Sequence, residues 1–214
     1  MEPRHVELDA ARLKALAHPL RLRILGALRI NGPSTATRLA ERLDESSGLT
    51  SYHLRTLASA GLVDELPDRG SGRDRWWRAA HDVSSFQSTD FDDTDVAPAA
   101  AWLESYSDRV REREAATWSA ERHRWSPTWR ETADRSDYYL LATADELRAL
   151  TTAMHDLIED ALRTTIARRD GDAPVPDDAE HVRLHLLAFP VREVAGVPVD
   201  RPSAGRKGDA DDDG

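Results

Sequence analysis

The chain has 214 residues, a formal net charge of −10 at pH 7, 40% hydrophobic and 32% charged residues, and no cysteine. That length holds one large or two modest domains of an ordinary soluble protein. No run approaches the ~20 apolar residues of a membrane span, and no apolar signal-peptide core is evident, so a cytoplasmic protein with no membrane partner is expected. Without sulfur from cysteine, disulfides and thiolate metal sites are excluded.

The acidity is unevenly spread. Residues 1–81 carry 13 Lys+Arg against 10 Asp+Glu, about +3, whereas the remainder carries about −13. Distant carboxylates are screened beyond about 8 to 10 Å at moderate salt, so a positive face in the first part is compatible with a negative whole. Of the basic residues, 27 are Arg and only Lys14 and Lys207 are Lys.

Taken in order, residues 8–17 place Leu8, Leu13 and Leu16 on one stripe, with Asp9 near the helix start. His18-Pro19 ends that helix and opens another, with Pro19 in the first turn and Leu20, Ile24, Leu25 and Leu28 on its apolar face. Asn31-Gly32-Pro33 stops it. Residues 36–43 form a short amphipathic helix with Ala36, Leu39, Ala40 and Leu43 inward. After Asp44-Glu45, Ser46 is the N-cap of a further helix. There Leu54, Leu57 and Ala58 face a core while Ser51, Tyr52 and Arg55 point away. Two helices joined by so short a turn make a helix-turn-helix. Gly61 suits a C-cap. Residues 62–66 and 73–78 read as two strands around a tip at 67–72, giving a wing with Arg69, Arg73, Arg75 and Arg78. Of the two indoles there, Trp77 is expected in the core, leaving Trp76 to cover the next segment or to stack on an arginine.

Beyond His81 the texture changes. Residues 84–95 are polar and aperiodic and read as linker. A helix follows from about Asp95 to about Trp118, with Pro98 in its first turn and Trp102, Leu103, Tyr106 and Val110 on one face. Residues 121–137 give no clean period, and residues 138–142 read as a short extended lead-in. Thr143-Ala144-Asp145-Glu146 is a capping box that opens the longest helix, running to about Arg169 with a wide apolar stripe. Residues 181–189 alternate like a strand. From Val194 the composition indicates a disordered tail.

Three stretches, LAHPLRLRILGAL, TRLAERLDESSGLTSYHLRTLASAGLVDE and GRDRWWRA, together resemble the winged helix-turn-helix repressors of the ArsR type over roughly residues 8–80. The expected fold is mainly α with a small β wing: an N-terminal winged helix-turn-helix plus a C-terminal α-rich (α+β) module. The expected division is a DNA-binding domain at 1–82, a linker at 83–96, a helical dimerisation or ligand-sensing module at 97–192 and a disordered tail at 193–214. The resemblance implies that the first helix also helps two subunits pair. Many relatives sense metals through cysteines on the helix before the recognition helix, where this chain has Thr37-Arg38-Leu39-Ala40-Glu41, so soft-metal sensing is not expected.

The chemistry expected is a recognition helix in the major groove of duplex DNA and an Arg-rich wing beside it. Candidate contacts are Ser34 and Thr35 at a helix start, Ser46, Ser47, Gly48, Leu49, Ser51, Tyr52, His53 and Arg55 on the recognition helix, and Arg69, Arg73 and Arg75 on the wing. Gly48 would let the backbone approach a phosphate closely. The residues Trp102, Tyr106, Trp118, Trp125, Trp129 and Tyr138 could line a pocket for an unknown small-molecule effector, or form the core or the interface of the C-terminal module. No metal or cofactor is expected: His155 with Asp156 and Glu159, and His181 with His185, read as ordinary polar residues. No nucleophile elbow, phosphate loop or paired catalytic carboxylate occurs, so no enzyme is expected. The expected function is that of a homodimeric DNA-binding regulator, a repressor. The alternatives are a winged-helix protein-interaction module, or a regulator controlled by a small molecule in the aromatic half.

Overall fold

A computed structural model describes residues 2–67, 69, 75–194 and 196–199. The chain divides into two compact units, Met1–His181 and Val182–Gly214. The first opens with strand β1 (His5–Glu7) and helices α1 (Ala10–Leu16) and α2 (Pro19–Asn31). Strand β2 (Ser34–Thr35) leads to helices α3 (Ala36–Leu43) and α4 (Ser47–Ser59), then strands β3 (Val63–Leu66), β4 (Trp76–Ala79) and β5 (Val83–Ser85). Helices α5 (Ala97–Glu121), α6 (Pro127–Thr132) and α7 (Ala144–Asp170) complete it, with single 3-10 turns at Ser88–Phe91 and Arg122–Arg124.

Local chemistry sets the element ends. Asp9 caps α1 by accepting from the Arg12 N–H at 2.9 Å, and the His18 ring caps α2 through Nδ1, which accepts from the Leu20 N–H at 3.1 Å. Asp44 ends α3 in the left-handed region at φ 56°, a conformation that Asp tolerates better than most residues. Only two residues then separate the α3 cap from α4. Past the end of α4, Gly61 sits at φ 67°, and the Leu62 N–H reaches back to the Leu57 carbonyl at 2.9 Å, which closes the helix and turns the chain into β3.

The core gathers the apolar faces of α1 to α4 with the wing: Leu13, Leu16, Ile24, Leu28, Leu39, Leu54, Leu57 and Leu62 are all essentially out of solvent. The sheet order is β2-β4-β3, antiparallel throughout, with Ser34 opposite Trp77 and Asp64 opposite Arg78. The pairing of β2 with the wing makes three strands where the sequence pattern suggested two. Trp77 is buried in the core, as expected of one of the two indoles.

Residues 83–96, expected to be a linker, are instead built into the fold. Strand β5 pairs in parallel with β1, His5 opposite Val83 and Glu7 opposite Ser85. Phe86 and Phe91 pack against the core, and Val96 is buried. The partner strand lies 78 residues away, so no local periodicity announces it. Helix α5 then contributes Ala100 and Leu103 to the same core.

Asp82 ties both ends of this unit together. Its carboxylate accepts from the Arg4 Nε at 3.1 Å and from the Arg169 Nη1 at 2.9 Å, so the chain start and the end of α7 meet at one buried charge. Burial by itself would raise the pKa of that acid, but the hydrogen bonds from the Arg4 side chain and backbone and from Arg169 prevail and hold it at about 2. A carboxylate with a depressed pKa contributes its full stabilisation above its ordinary range and loses it progressively as pH falls from about 3.8 to about 2.

Helix α7 starts with the expected capping box: the Thr143 N–H donates to the Glu146 carboxylate at 2.7 Å, and the Glu146 N–H donates to the Thr143 hydroxyl at 3.2 Å. Of its apolar stripe only Ile166 is buried, whereas Leu150, Met154 and Leu157 are exposed, Leu157 at 72%. Residues 138–142 and 181–189, both expected to be extended, form no strand, because neither segment meets a ladder partner for its backbone N–H and C=O groups. In the second unit β6 (Glu193–Val194) and β7 (Val197–Pro198) form a small antiparallel hairpin with Gly196 at φ 80° in its turn. It stands at the start of the stretch expected to be a disordered tail; residues 200–214 lie outside the described part.

Truncating a fully buried α4 side chain, Leu57→Ala, is expected to cost about 2 to 5 kcal/mol in urea unfolding, whereas the exposed Val175→Ala should stay within about 0.5 kcal/mol. Equal effects of the two would contradict this core.

Candidate nucleic-acid interface

Helix α4 has two faces of opposite character. Thr50, His53, Leu54 and Leu57 form the buried one. Thr50 is held by its own hydroxyl, which donates to the Ser46 carbonyl at 3.0 Å, so this buried polar group is satisfied within the helix. The outer face presents Ser47, Gly48, Leu49, Tyr52 and Arg55, all exposed, with Ser51 half-buried between them. Tyr52 is 58% exposed. Ser46 caps the helix through its Oγ, which accepts from the Leu49 N–H at 3.2 Å. The Arg55 Nε donates to the Ser51 carbonyl at 3.1 Å, which parks the guanidinium on the helix surface with its Nη groups free of any hydrogen bond to a carboxylate.

A Cβ added at Gly48 would meet no atom within 4 Å. Packing therefore does not demand glycine there.

Two of the candidate residues leave this face. His53 is 4% exposed and turns inward, its ring 4.5 Å from that of His18 and 5.2 Å from that of Tyr52. Thr35 is 5% exposed, and its hydroxyl caps α3 by accepting from the Arg38 N–H at 3.3 Å, so it is occupied inside the fold rather than aimed outward. Ser34 is half-buried in β2.

The wing stands beside α3. Trp76 lies between two guanidiniums, Arg38 at 4.8 Å and Arg69 at 4.9 Å from its ring, which pins the wing to the first helix of the helix-turn-helix. The stacking of Trp76 on arginine was one of the two roles its sequence position suggested. Arg75 pairs with Glu65 at 3.6 Å in an exposed contact. Such a pair is weak and readily exchanged for another anion. Arg73 lies outside the described residues. Arg38, whose guanidinium shares the Trp76 ring with that of Arg69, was not singled out from sequence as a DNA contact, nor was its exposed neighbour Thr37. The signal for them was the polar face opposite Leu39 and Ala40, which looked like ordinary solvated surface.

The six aromatic residues do not converge on one cavity. Trp102 stacks on Tyr106 at 5.1 Å near the start of α5, and Trp118, Trp125 and Trp129 form a separate chain with centroid spacings of 6.2 and 6.5 Å at its far end. Twelve residues of helix separate Tyr106 from Trp118, about 18 Å at 1.5 Å per residue. Tyr138 is 79% exposed and joins neither group. A pocket lined by all six is therefore not formed by this chain. Among the described residues no group of three or more His, Asp or Glu is placed to hold a metal ion.

The His18–His53 pair is the sensitive point beneath α4. Burial lowers the pKa of both rings, Arg21 lowers them further, and for His53 the neighbouring His18 adds to the effect, against a smaller opposing pull from Glu45. His53 Nδ1 is buried without a hydrogen-bond partner. Both rings are thus neutral in the folded state near pH 7.

A helix-turn-helix domain family model matches residues 16–65, which span the end of α1 through β3. Solved structures similar to the chain include the homodimeric winged helix-turn-helix DNA-binding fragment 1–100 of a possible ArsR-family transcriptional regulator from Mycobacterium bovis, at 29% identity, covering 48% of this chain and 82% of that one with a TM-score of 0.31. Reduced HlyU from Vibrio cholerae is 27% identical, covering 45% and 84%, with a TM-score of 0.29. A possible transcriptional regulator for arsenical resistance is 27% identical, covering 61% and 99%, with a TM-score of 0.29. No curated protein matches the sequence.

Because the folded state disfavours protons on His18 and His53, stability is full above about pH 6.5 and falls as pH drops below it, where the unfolded chain binds protons that the folded chain resists. Thermal melts at pH 7.5 and 5.5 are expected to show a larger drop for the natural chain than for a His53→Gln variant. An equal drop in the two would contradict the buried neutral pair.

Proposed function

We propose that this chain, whose N-terminal part is a winged helix-turn-helix domain of the ArsR type, is a homodimeric transcription repressor that reads duplex DNA with the outer face of α4. The observation that carries the reading is the two-faced helix itself. Its inner side is locked by Leu54, Leu57, Thr50 and His53, while Ser47, Gly48, Tyr52 and Arg55 are exposed on the outer side with Ser51 half-buried between them. A rigid helix presenting hydroxyls and one guanidinium fits the major groove, where an arginine recognises guanine through two parallel hydrogen bonds. Gly48, which packing does not require, brings the backbone of the first turn close to a phosphate. The wing cations Arg69, Arg75 and Arg73, joined by Arg38, follow the sugar-phosphate backbone or enter the minor groove.

Pairing of two copies follows from the geometry of operators: two half-sites about one duplex turn apart match a two-fold dimer. The exposed Leu150, Met154 and Leu157, spaced four and three residues apart on one side of α7, supply an apolar stripe for such pairing. Repression needs only occupancy of the duplex, and no described feature calls for a further contact to the transcription machinery. The reading as a protein-interaction module differs in one cheap observation. A DNA reader keeps weak, salt-sensitive affinity for random duplex at low salt, and an interaction module does not.

Gel-shift titrations on a selected site should show Arg55→Ala losing about 1 to 3 kcal/mol and relaxing preference at one base position, while Arg75→Ala weakens all sequences alike and lowers the salt slope by about 1. If neither substitution alters binding, this assignment is wrong.

A further inference from the structure

At the base of the wing lies a cavity of about 310 Å³ that the recognition-helix reading does not use. Its polar lining comes from four distant parts of the chain: Arg4 before β1, Asn31 at the end of α2, Arg69 and Arg78 on the wing, and Arg169 with Asp170 at the end of α7. We propose that this cavity binds a small dianionic oxyanion, a phosphate monoester being the simplest example, and that its occupancy bridges the wing to α7.

The argument is one of charge balance. Four guanidiniums line the cavity, those of Arg4, Arg69, Arg78 and Arg169, and the carboxylates that the described residues set against them are Asp64, Asp82 and Asp170. Asp82 serves both Arg4 and Arg169, and Arg78 shares Asp64 at 3.3 Å in an exposed pair. Among the described residues Arg69 has an aromatic face, that of Trp76, rather than an acid as its partner. Four guanidiniums converging on one recess with a single carboxylate, that of Asp170, in its lining leave an excess of positive charge there, which a doubly charged oxyanion would offset.

The volume is at the lower end for small-molecule sites, which suits a compact ligand over a nucleotide. Guanidinium forks match phosphate and carboxylate oxygens in geometry as well as in charge. Since Arg69 and Arg78 belong to the wing while Arg4 and Arg169 belong to the base, an anion held by both sets would fix the wing's position, and this is the route by which it would alter DNA affinity. A free phosphate monoester offers two charges, whereas a phosphodiester of the duplex offers the same kind of oxygens with one, so the two sources have to be told apart.

The test titrates inorganic phosphate into the full-length protein by calorimetry, with chloride at matched ionic strength as control. It is repeated on the double variant Arg69→Gln, Arg78→Gln, whose fold is checked by circular dichroism; both side chains are exposed, so the fold should persist. Saturable binding that the double variant weakens at least about tenfold is expected. Binding no different from chloride, or retained in full by the double variant, would overturn the proposal. Repeating the titration with saturating duplex separates the sources: a free anion binds as well or better, whereas a duplex phosphate already in the cavity abolishes the phosphate response. Phosphate binding is read without DNA, so its failure leaves the duplex-binding assignment standing, and the converse holds too.

Discussion

A thirteen-residue helix has little stability of its own in water, because nucleation fixes several residues for a single hydrogen bond. Helix α4 exists because Leu54 and Leu57 are completely buried against the rest of the helical core, with Thr50 and His53 filling the same side. That constraint has a direct functional consequence. A helix held from one side has its rotation fixed, so its other side presents a defined set of groups in a defined order. On the reading proposed above, Leu57→Ala would damage recognition without touching any residue on the outer face.

Two further ties convert this helix into part of a larger surface. Trp76, between Arg38 and Arg69, joins the wing to α3. Asp82, between Arg4 and Arg169, joins the strand pair β1–β5 to the end of α7. The first tie lies on the face proposed to meet a duplex, and the second lies beside the arginine-lined cavity. Any change in how α7 meets Asp82 is therefore felt close to the wing, which gives the C-terminal part a physical route to the DNA-binding face without requiring an aromatic pocket.

The winged helix-turn-helix was legible from sequence because each of its signals is local. Pro19 after His18, Ser46 ahead of α4, Gly61 after it and the leucine spacing within each helix all act within one or two turns. The caps and faces of α2, α3 and α4 follow these signals closely. What was not legible depends on distant partners. Val83 to Ser85 have the composition of a linker and become a strand only because His5 to Glu7 lie alongside. Conversely, residues 181–189 alternate like a strand, yet they join no ladder among the described residues. His53 read as a candidate DNA contact and instead packs inward against the ring of His18, the distant residue that caps α2. The aromatic residues of α5 fell on one helix, but the distance along that helix keeps them from forming a single cluster.

The central claim is that the outer face of α4 and the adjoining wing meet the duplex while the inner face stays closed. Amide chemical-shift mapping of the protein during titration with a short random duplex at low salt tests it most directly. The account predicts progressive, salt-reversible shifts at Ser47, Gly48, Ser51, Tyr52, Arg55, Arg38 and Arg75, with Leu54 and Leu57 nearly unmoved. Shifts concentrated on α7 with none along α4, or no shift anywhere at low salt, would contradict it.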